Sequence, residues 1–470
     1  MAQGGGNLAP LQGTCITQRF LALSLLAVAA FEIAARATRS DSLQHLAWGA
    51  VCLTILLALR RLTLREVYLI ALSIALTVAA LLRSGDPWTE LSGALDSASF
   101  LMAFILLLGL LNAAAARSPS VAVLGEYLTR QPPGRRYYVL NVGTGFLALL
   151  FNIGIVSLIV PLIQKGIARL GPDDPLNPIR ERRQVSALMR GFAWSVTWSP
   201  TAIAPLAVMA VLPGVDRAAW VGYGLLVSAL VLVLGGIEDK LRWRSARTPG
   251  KRPTMALPGE AARNFGITVL CFFALVAGFA WLSGETVVLG LLLSCPIMVV
   301  GWVMAQAPRQ ALGRLRTIAL DELPRSVNVA ITLACSGFIG RMAAGQVPAA
   351  DLARILGLET MPDWLLLAML PPALSIFSLL ALSPTMMAVF FGSLFAALPS
   401  LPADVTLIAF SISCGWALSM TFSPFATVVL VIERASGIPG RRLTFGWNLG
   451  FTLLCTVLLF PVFWVLTGGT

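Results

Sequence analysis

Long stretches without charged residues recur along the whole chain and are separated by short polar connections. They cover residues 43–59, 67–82, 97–116, 138–164, 191–212, 218–237, 265–284, 286–308, 364–403, 405–432 and 443–470. Each is about as long as the roughly 20 apolar residues that a helix needs to cross a bilayer, or longer. With weaker candidates at 18–36 and 323–344, the pattern predicts an all-α polytopic membrane protein with about 11 to 13 transmembrane helices.

The composition leaves little chain for a soluble domain. Of the 470 residues, 57% are hydrophobic and 12% are charged, whereas about a quarter of a soluble domain is charged. The net charge of +12 is concentrated in short connections such as 60–66, 179–183 and 240–252. This is the positive-inside pattern of cytoplasmic loops, so we expect a multi-pass protein of the bacterial inner membrane, surrounded by lipid and without a nucleic-acid partner.

Cysteine and histidine usage gives no sign of metal or redox chemistry. The seven cysteines are scattered and His45 is the single histidine, so no spacing typical of a metal site or a disulfide framework occurs. We expect no cofactor other than a coupling ion such as Na⁺. The N-terminus lacks a basic region followed by a small-residue cleavage site, so no removable signal peptide is predicted.

One ten-residue phrase occurs twice, as GFAWSVTWSP at 191–200 and as GWALSMTFSP at 415–424. Upstream of it, residues 95–116 have a counterpart in 323–344. The chain is therefore predicted to contain two structural repeats. The predicted order is N-terminal transmembrane segments 1–64, a first repeat 65–238, a basic cytoplasmic loop 239–264, and a second repeat 265–470.

In each repeat, one uncharged run contains residues that a simple spanning helix would avoid. The run 138–164 contains FNIGIVS, and the run 364–403 contains two prolines followed by LSPTMM. Backbone that leaves the helix at membrane depth must be buried or line a cavity. We therefore predict a crossing helix followed by a re-entrant hairpin in each run, with the hairpins near 151–168 and 382–400.

The repeated phrase predicts a broken helix in each repeat, at 186–212 and 404–432. Proline has no N–H and clashes with the carbonyl four residues back, so Pro200 frees Val196 and Pro424 frees Met420. Free carbonyls and hydroxyls suit Na⁺, and the N-terminal end of a half-helix suits an anion. The surrounding hydroxyls are those of Ser195, Thr197, Ser199, Thr201, Ser419, Thr421 and Ser423. Such hydroxyls often only repair a proline kink, but two copies in matching places favour a binding site.

The predicted site segments hold no charge, which bears on the substrate. Proton pumps and cation antiporters usually keep a carboxylate at mid-membrane, so a neutral site favours an anion with a co-bound cation. Arg190 begins the first broken helix and marks the membrane edge, or attracts anions to the inner mouth.

A hairpin with Asn or Ser-x-Thr, followed by a broken helix with small polar residues and proline, occurs twice between residues 65 and 468. This pattern resembles the ion transporter superfamily, above all the divalent anion:sodium symporters, with arsenite-permease-like proteins as relatives. The resemblance implies that the hairpin tips and broken helices bind the substrate and the coupling cation. Expected substrate-binding residues are Asn152, Gly154, Thr201, Ser383, Pro384, Thr385 and Thr421. Expected cation-binding residues are Asn152, Ser195, Val196, Thr197, Ser199, Ser383, Ser419, Met420, Thr421 and Ser423.

Two features depart from that family. The first tip reads Phe151-Asn152-Ile153 and keeps only the amide of the family's Ser-Asn-Thr, which leaves H⁺ coupling or an unusual substrate open. The family's repeats are also inverted, which requires an odd number of crossings between equivalent helices. Counting from the run 97–116 to the run 323–344 gives six crossings, which is an even number.

The leading hypothesis is a secondary active transporter of small organic or inorganic anions, coupled to Na⁺ or H⁺ and working by alternating access. A cation/proton antiporter or a metalloid-anion exporter of the same fold is the alternative within transport. A membrane-embedded transferase or polymerase is disfavoured because no recognisable acid/base set is present. A structural subunit of a membrane complex also remains open, and a homodimer is compatible with the sequence.

Overall fold

The computed structural model describes residues 15–169, 171, 174–244, 255–283, 287–348, 351, 354, 357, 360–380 and 382–469. Within these ranges the chain is helical and contains no strand. Eleven helices are long and apolar enough to cross a membrane, at the lower end of the predicted number. The prediction of an all-α polytopic membrane protein is thereby confirmed.

The first part of the chain forms the N-terminal helices and the first repeat. These elements are α1 (Cys15–Thr38), α2 (Asp41–Ala58), α3 (Leu64–Arg83), α4 (Pro87–Ala115), α5 (Pro119–Thr129), α6 (Pro133–Phe151), α7 (Gly154–Ala168), α8 (Asn177–Ser195), α9 (Ile203–Val211) and α10 (Arg217–Arg242). Helices α11 (Gly259–Ser283) and α12 (Val287–Gln306) follow. Of the predicted basic loop 239–264, residues 245–254 lie outside the described residues.

The second repeat follows the same order of elements. It comprises α13 (Ala311–Thr317), which continues through a π turn and a 3₁₀ turn into α14 (Val327–Gln346), then α15 (Asp363–Phe377), α16 (Pro384–Ala396), α17 (Val405–Phe422), α18 (Thr427–Ser436), a π-helical turn (Arg442–Asn448) and α19 (Leu449–Leu466).

The two arms of each hairpin account for a whole uncharged run. In the first repeat α6 and α7 are the arms, and in the second repeat α15 and α16 are the arms. Helix α7 has 15 residues and α16 has 13. At 1.5 Å per residue they reach only about 20 Å, short of the hydrocarbon thickness of about 30 Å. The predicted ranges 151–168 and 382–400 therefore cover mainly the second arms, and the first arm of the second hairpin with its following turn, 363–380, is itself long and apolar enough to cross a membrane.

The equivalent helices α4 and α14 pack along each other in opposite directions. Gly93 lies beside Arg341 and Gly109 lies beside Ser326, so residue numbers rise in one helix as they fall in the other. An odd number of crossings must separate two antiparallel helices. The sequence count of six is one too many, because it treated the first hairpin run as containing a crossing helix.

The first residue of each repeated phrase is the point where the broken helix meets the first arm of its hairpin. A Cβ on Gly191 would stand 2.2 Å from the carbonyl oxygen of Asn141, and one on Gly415 would stand 2.9 Å from the Cβ of Leu374. Helices that approach this closely require a residue without a side chain. The recurring glycine is thus explained by packing.

The repeats exchange contacts at the centre of the molecule. Helix α8 packs against α17, so the two broken helices touch each other. The second arm of the first hairpin, α7, packs against α18, and the second arm of the second hairpin, α16, packs against α9. Each hairpin is therefore in contact with the broken helix of the other repeat.

Candidate functional site

Both broken helices are interrupted at the repeated phrase. Helix α8 ends at Ser195 and α9 begins at Ile203, and residues 196–202 between them are not helical. In the second repeat the non-helical residues 423–426 separate α17 from α18. Among the described residues, no backbone N–H of a turn, loop or helix cap donates to the carbonyl of Val196 or of Met420. This is expected, because the residue four positions further on is a proline, which has no N–H.

Hydroxyls of the breaks bind the hairpins. The Thr201 hydroxyl donates to the carbonyl of Leu149 at 2.8 Å, and the Ser423 hydroxyl donates to the carbonyl of Ser378 at 2.8 Å. Both carbonyls lie at the end of a first hairpin arm, where the last turn of a helix leaves its carbonyls without intrahelical partners. The same contact is therefore made in both repeats, and it holds each break against a hairpin tip.

The hydroxyls of two other predicted site residues contact the long helix that comes after each broken helix. The Thr197 hydroxyl lies 3.2 Å from that of Ser228 on α10. The Thr421 hydroxyl lies 2.9 Å from that of Thr452 on α19. These threonines hold the breaks in place from the side, and neither lines the cavity described below.

Of the remaining serines of the phrases, Ser199 lies in the break with its hydroxyl 3.0 Å from that of Thr201, whereas Ser195 and Ser419 are bonded within their own helices. The Ser195 hydroxyl donates to the carbonyl of Phe192, and the Ser419 hydroxyl donates to the carbonyl of Gly415, each at 2.7 Å. A hydroxyl bonded in this way still has lone pairs that can accept a hydrogen bond or contact a cation.

A small cavity, lined mainly by buried residues, lies where the two broken helices meet the tip of the first hairpin. Its volume is about 30 Å³, which is about the volume of one water molecule. The predicted residues that line it are Asn152, Ser195, Val196, Ser199 and Met420. All of its lining residues are described, and none of them is charged.

The cavity has an internal symmetry that follows from the repeated phrase. Phe192 and Trp416 occupy the second position of the two phrases, and Val196 and Met420 occupy the sixth. All four line the cavity. The cavity therefore lies where equivalent positions of the two repeats meet.

Asn152 forms the tip of the first hairpin in an uncommon backbone conformation. Its φ is 44° and its ψ is −130°, values that non-glycine residues rarely adopt. Conformations of this kind cost roughly 1–3 kcal/mol and are held in place by their surroundings, often at functional sites.

Two residues at this site were not anticipated from the sequence. Trp416 lines the cavity and is 5% exposed, and its indole N–H has no hydrogen-bond partner among the described residues. Asn112 of α4 adjoins the predicted residue Gly154, where an added Cβ would stand 2.1 Å from the Asn112 side-chain nitrogen. The sequence held two signals that could have indicated them. Trp416 directly follows Gly415, the first residue of the second phrase, and Asn112 is a side-chain amide within the uncharged run 97–116.

The second hairpin tip does not reach this cavity. Ser383 caps the N-terminus of α16 by accepting a hydrogen bond from the Met386 N–H at 3.3 Å, and Pro384 is the first helical residue. Ser383 and Thr385 are both buried. None of the three residues of this tip lines the cavity at Asn152.

Arg190 does not face an aqueous mouth, contrary to one of the two expectations. It is 3% exposed; its Nε donates to Asn448 at 2.9 Å and another guanidinium nitrogen pairs with Glu238 at 2.7 Å. Its guanidinium also lies 3.9 Å from the centre of the Phe451 ring. The residue joins α8 to α10 and to the π-helical turn of the second repeat, and its charge is paired with that of Glu238.

The sequence matches no protein-family model and no curated protein, whereas its fold has solved counterparts. The YdaH transporter of Alcanivorax borkumensis, described as having an unusual topology, superposes with a TM-score of 0.54 at 14% identity, covering 86% of this chain and 98% of YdaH. MtrF of Neisseria gonorrhoeae, from a class of antimetabolite efflux pumps, superposes with a TM-score of 0.50 at 11% identity, covering 86% of this chain and 94% of MtrF. The chain therefore has a fold that is similar to those of these membrane transporters.

Proposed function

We propose that this protein is a secondary active transporter of small anions in a bacterial inner membrane, coupled to Na⁺ or H⁺ and working by alternating access. The observation that carries the proposal is the uncharged cavity between two broken helices and the Asn152 hairpin tip. Broken helices that meet at membrane depth are the usual construction of transporter binding sites.

The chemistry of the cavity suits an anion together with a cation. Ile203, which begins α9, lines the cavity, so the positive end of this half-helix lies beside it. The indole N–H of Trp416 can donate to an anion, and the Val196 carbonyl and Ser199 hydroxyl can bind a cation. A cation/proton antiporter would need a titratable carboxylate at the site, and the described lining has none.

The cavity is too small for an organic substrate. About 30 Å³ accommodates a bare cation or one water, whereas pockets for organic ligands measure about 300–1,000 Å³. Transport of an organic anion therefore requires the hairpins and half-helices to separate. The contacts of α7 with α18 and of α16 with α9 join each hairpin to the opposite repeat, and we assign this movement to those pairs.

The antiparallel packing of α4 and α14 supports repeats that are related by inversion. With the basic connections 60–66, 179–183 and 240–252 on the cytoplasmic side, the N-terminal ends of α1, α3 and α8 face the cytoplasm. The resemblance to divalent anion:sodium symporters favours Na⁺ and a carboxylate substrate. Similarity of fold to MtrF favours export as a second direction of transport.

Transport by reconstituted protein tests the proposal. Purified protein in proteoliposomes would be offered labelled succinate, acetate and sulfate, first under a Na⁺ gradient and then under a H⁺ gradient, in both orientations. We expect gradient-dependent movement of at least one anion, lost in Asn152→Ala and kept in Gly222→Ala on the open face of α10. Absence of movement of every anion under both gradients would contradict the proposal and favour a structural subunit.

A further inference from the structure

A second and larger cavity lies away from the Asn152 cavity, among the ends of α4, α9, α10 and α14. Its volume is about 340 Å³. The charged residues that line it are Arg36, Asp96, Arg217 and Arg341. In the proposed orientation this is the outer side of the membrane, and we call this cavity the outer vestibule.

Two of these four charges are already engaged with neighbouring side chains. The Nε of Arg36 donates to Glu32 at 2.7 Å, and the guanidinium lies 4.7 Å from the centre of the Phe100 ring. The carboxylate of Asp96 accepts a hydrogen bond from the indole of Trp48 at 3.0 Å.

The other two charges have no counterion. Neither Arg217 nor Arg341 forms an ion pair with any residue that the structure describes. Arg341 lies within a candidate membrane span and makes one long side-chain hydrogen bond, of 3.4 Å, to Ser393. Arginines within membrane spans usually pair with another group or mark a path for ions and substrates. With Asp96 as the one carboxylate among four charged lining residues, the two partly buried guanidinium groups leave an excess of positive charge on this cavity.

The remaining wall of the vestibule is apolar apart from Ser97. Phe100 and Leu101 of α4, Val211 of α9 and Val389 of α16 form much of it. The volume is at the lower end of the range for small-molecule sites. A guanidinium group matches a carboxylate with two parallel hydrogen bonds. These features fit a ligand with one or two carboxylates on a short apolar body.

We propose that the outer vestibule is a binding site for a small organic carboxylate, held by Arg341 and Arg217. The site goes beyond the transport site at Asn152, since it uses different residues and a different cavity. Helices α9 and α16, which line it, also belong to the broken helix and the hairpin assigned to the transport movement. Occupancy of the vestibule would therefore be coupled to the movement of these two helices.

Binding of sodium succinate to the purified full-length protein tests this proposal without requiring transport. Titration calorimetry and thermal unfolding in detergent would be compared with sodium chloride at equal ionic strength. We expect saturable binding that is about tenfold or more weaker in Arg341→Gln and in Arg217→Gln, because each loses charge-assisted hydrogen bonds. Arg354→Gln is the matched control, since Arg354 is highly exposed and paired with Asp351 in the connection that follows α14.

A variant of the transport site separates this proposal from the proposed function. Asn152→Ala should retain succinate binding even if it abolishes transport. Unchanged affinity in both vestibule variants, or no binding by the wild type, would overturn the vestibule proposal. Loss of binding in Asn152→Ala alone would also overturn it, by assigning the ligand to the central cavity. Should Arg341→Gln fail to fold, Arg217→Gln at the start of α10 decides the matter.

Discussion

The hydroxyl of Thr201 donates a 2.8 Å hydrogen bond to the carbonyl of Leu149, and this bond joins the first broken helix to the first hairpin. Ser423 makes the equivalent bond to Ser378 in the second repeat. Residues that looked like ligands for a solute are therefore also the attachments that keep each break beside its hairpin tip. A transport movement of the hairpins must break these bonds or carry both partners together.

Thr201→Val is expected to destabilise the protein by about 1 kcal/mol or more, because it leaves a buried carbonyl without its donor. The measurement is the apparent unfolding temperature in detergent. Thr268→Val is the control, since the hydroxyl of the half-buried Thr268 donates to the carbonyl of Asn264 in an exposed bond within α11. Equal unfolding temperatures for the two variants would show that the Thr201 bond contributes little.

Gly191→Ala and Gly415→Ala test the close approach of the broken helices to the hairpins. The first places a methyl group 2.2 Å from a backbone oxygen, and the second places one 2.9 Å from a side-chain carbon. Backbone moves less easily than a side chain, so we expect the larger loss of stability in Gly191→Ala, on the order of 3 kcal/mol. Gly222→Ala has nothing within 4 Å and should be neutral or stabilising. A neutral Gly191→Ala would contradict the observed packing.

Trp416→Phe tests the unpaired indole N–H at the central cavity. The change keeps a six-membered aromatic ring and removes the pyrrole part of the indole together with its N–H, so the unfolding temperature is measured beside transport to confirm that the fold is retained. If the N–H binds an anion, the anion concentration that gives half-maximal uptake should rise about tenfold. Trp281→Phe is the control because Trp281 is 80% exposed. If that concentration is unchanged, the Trp416 N–H does not donate a hydrogen bond to the anion.

Arg190 and Arg242 both pair with Glu238, which allows a matched comparison. Arg190 is buried, whereas the side chain of Arg242 is 43% exposed. Removing one partner of a buried pair costs about 3–5 kcal/mol, and exposed pairs contribute about 0–1 kcal/mol. Arg190→Gln should therefore lower the unfolding temperature strongly, and Arg242→Gln should not. When Arg190→Gln is combined with Glu238→Gln, the loss of stability should be smaller than the sum of the losses in the two single variants.

The orientation in the membrane can be checked by cysteine labelling of intact cells. A membrane-impermeant maleimide should label Gly85→Cys from outside and should reach Arg60→Cys only after permeabilisation. These positions lie in the connections that precede α4 and α3 and that differ in charge. Labelling above the wild-type background in the opposite order would reverse the proposed orientation.

The local features of the site were accessible from the sequence because their causes are local. A proline interrupts a helix whatever surrounds it, and both repeated phrases do contain the breaks. The tip at Asn152 was recognised from an amide and a glycine within an apolar run. By contrast, the start of each first hairpin arm could not be predicted, because an uncharged run does not reveal where one helix ends and the next begins.

Contacts between distant parts of the chain were not accessible in the same way. Which hairpin tip lines the central cavity and the burial of Arg190 against Asn448 depend on how the repeats pack. Likewise, Arg217 and Arg341 belong to different repeats and share a cavity only in the folded protein.

The sequence by itself determined the membrane environment, the two repeats and the positions of the helix breaks, since these follow from hydropathy, internal similarity and the geometry of proline. Only the tertiary structure decided which of the polar groups line a cavity and which are used up in holding helices together. The reason is that a buried hydroxyl, amide or guanidinium must find a partner, and the packing of helices distant in sequence decides whether that partner is another residue or a solute.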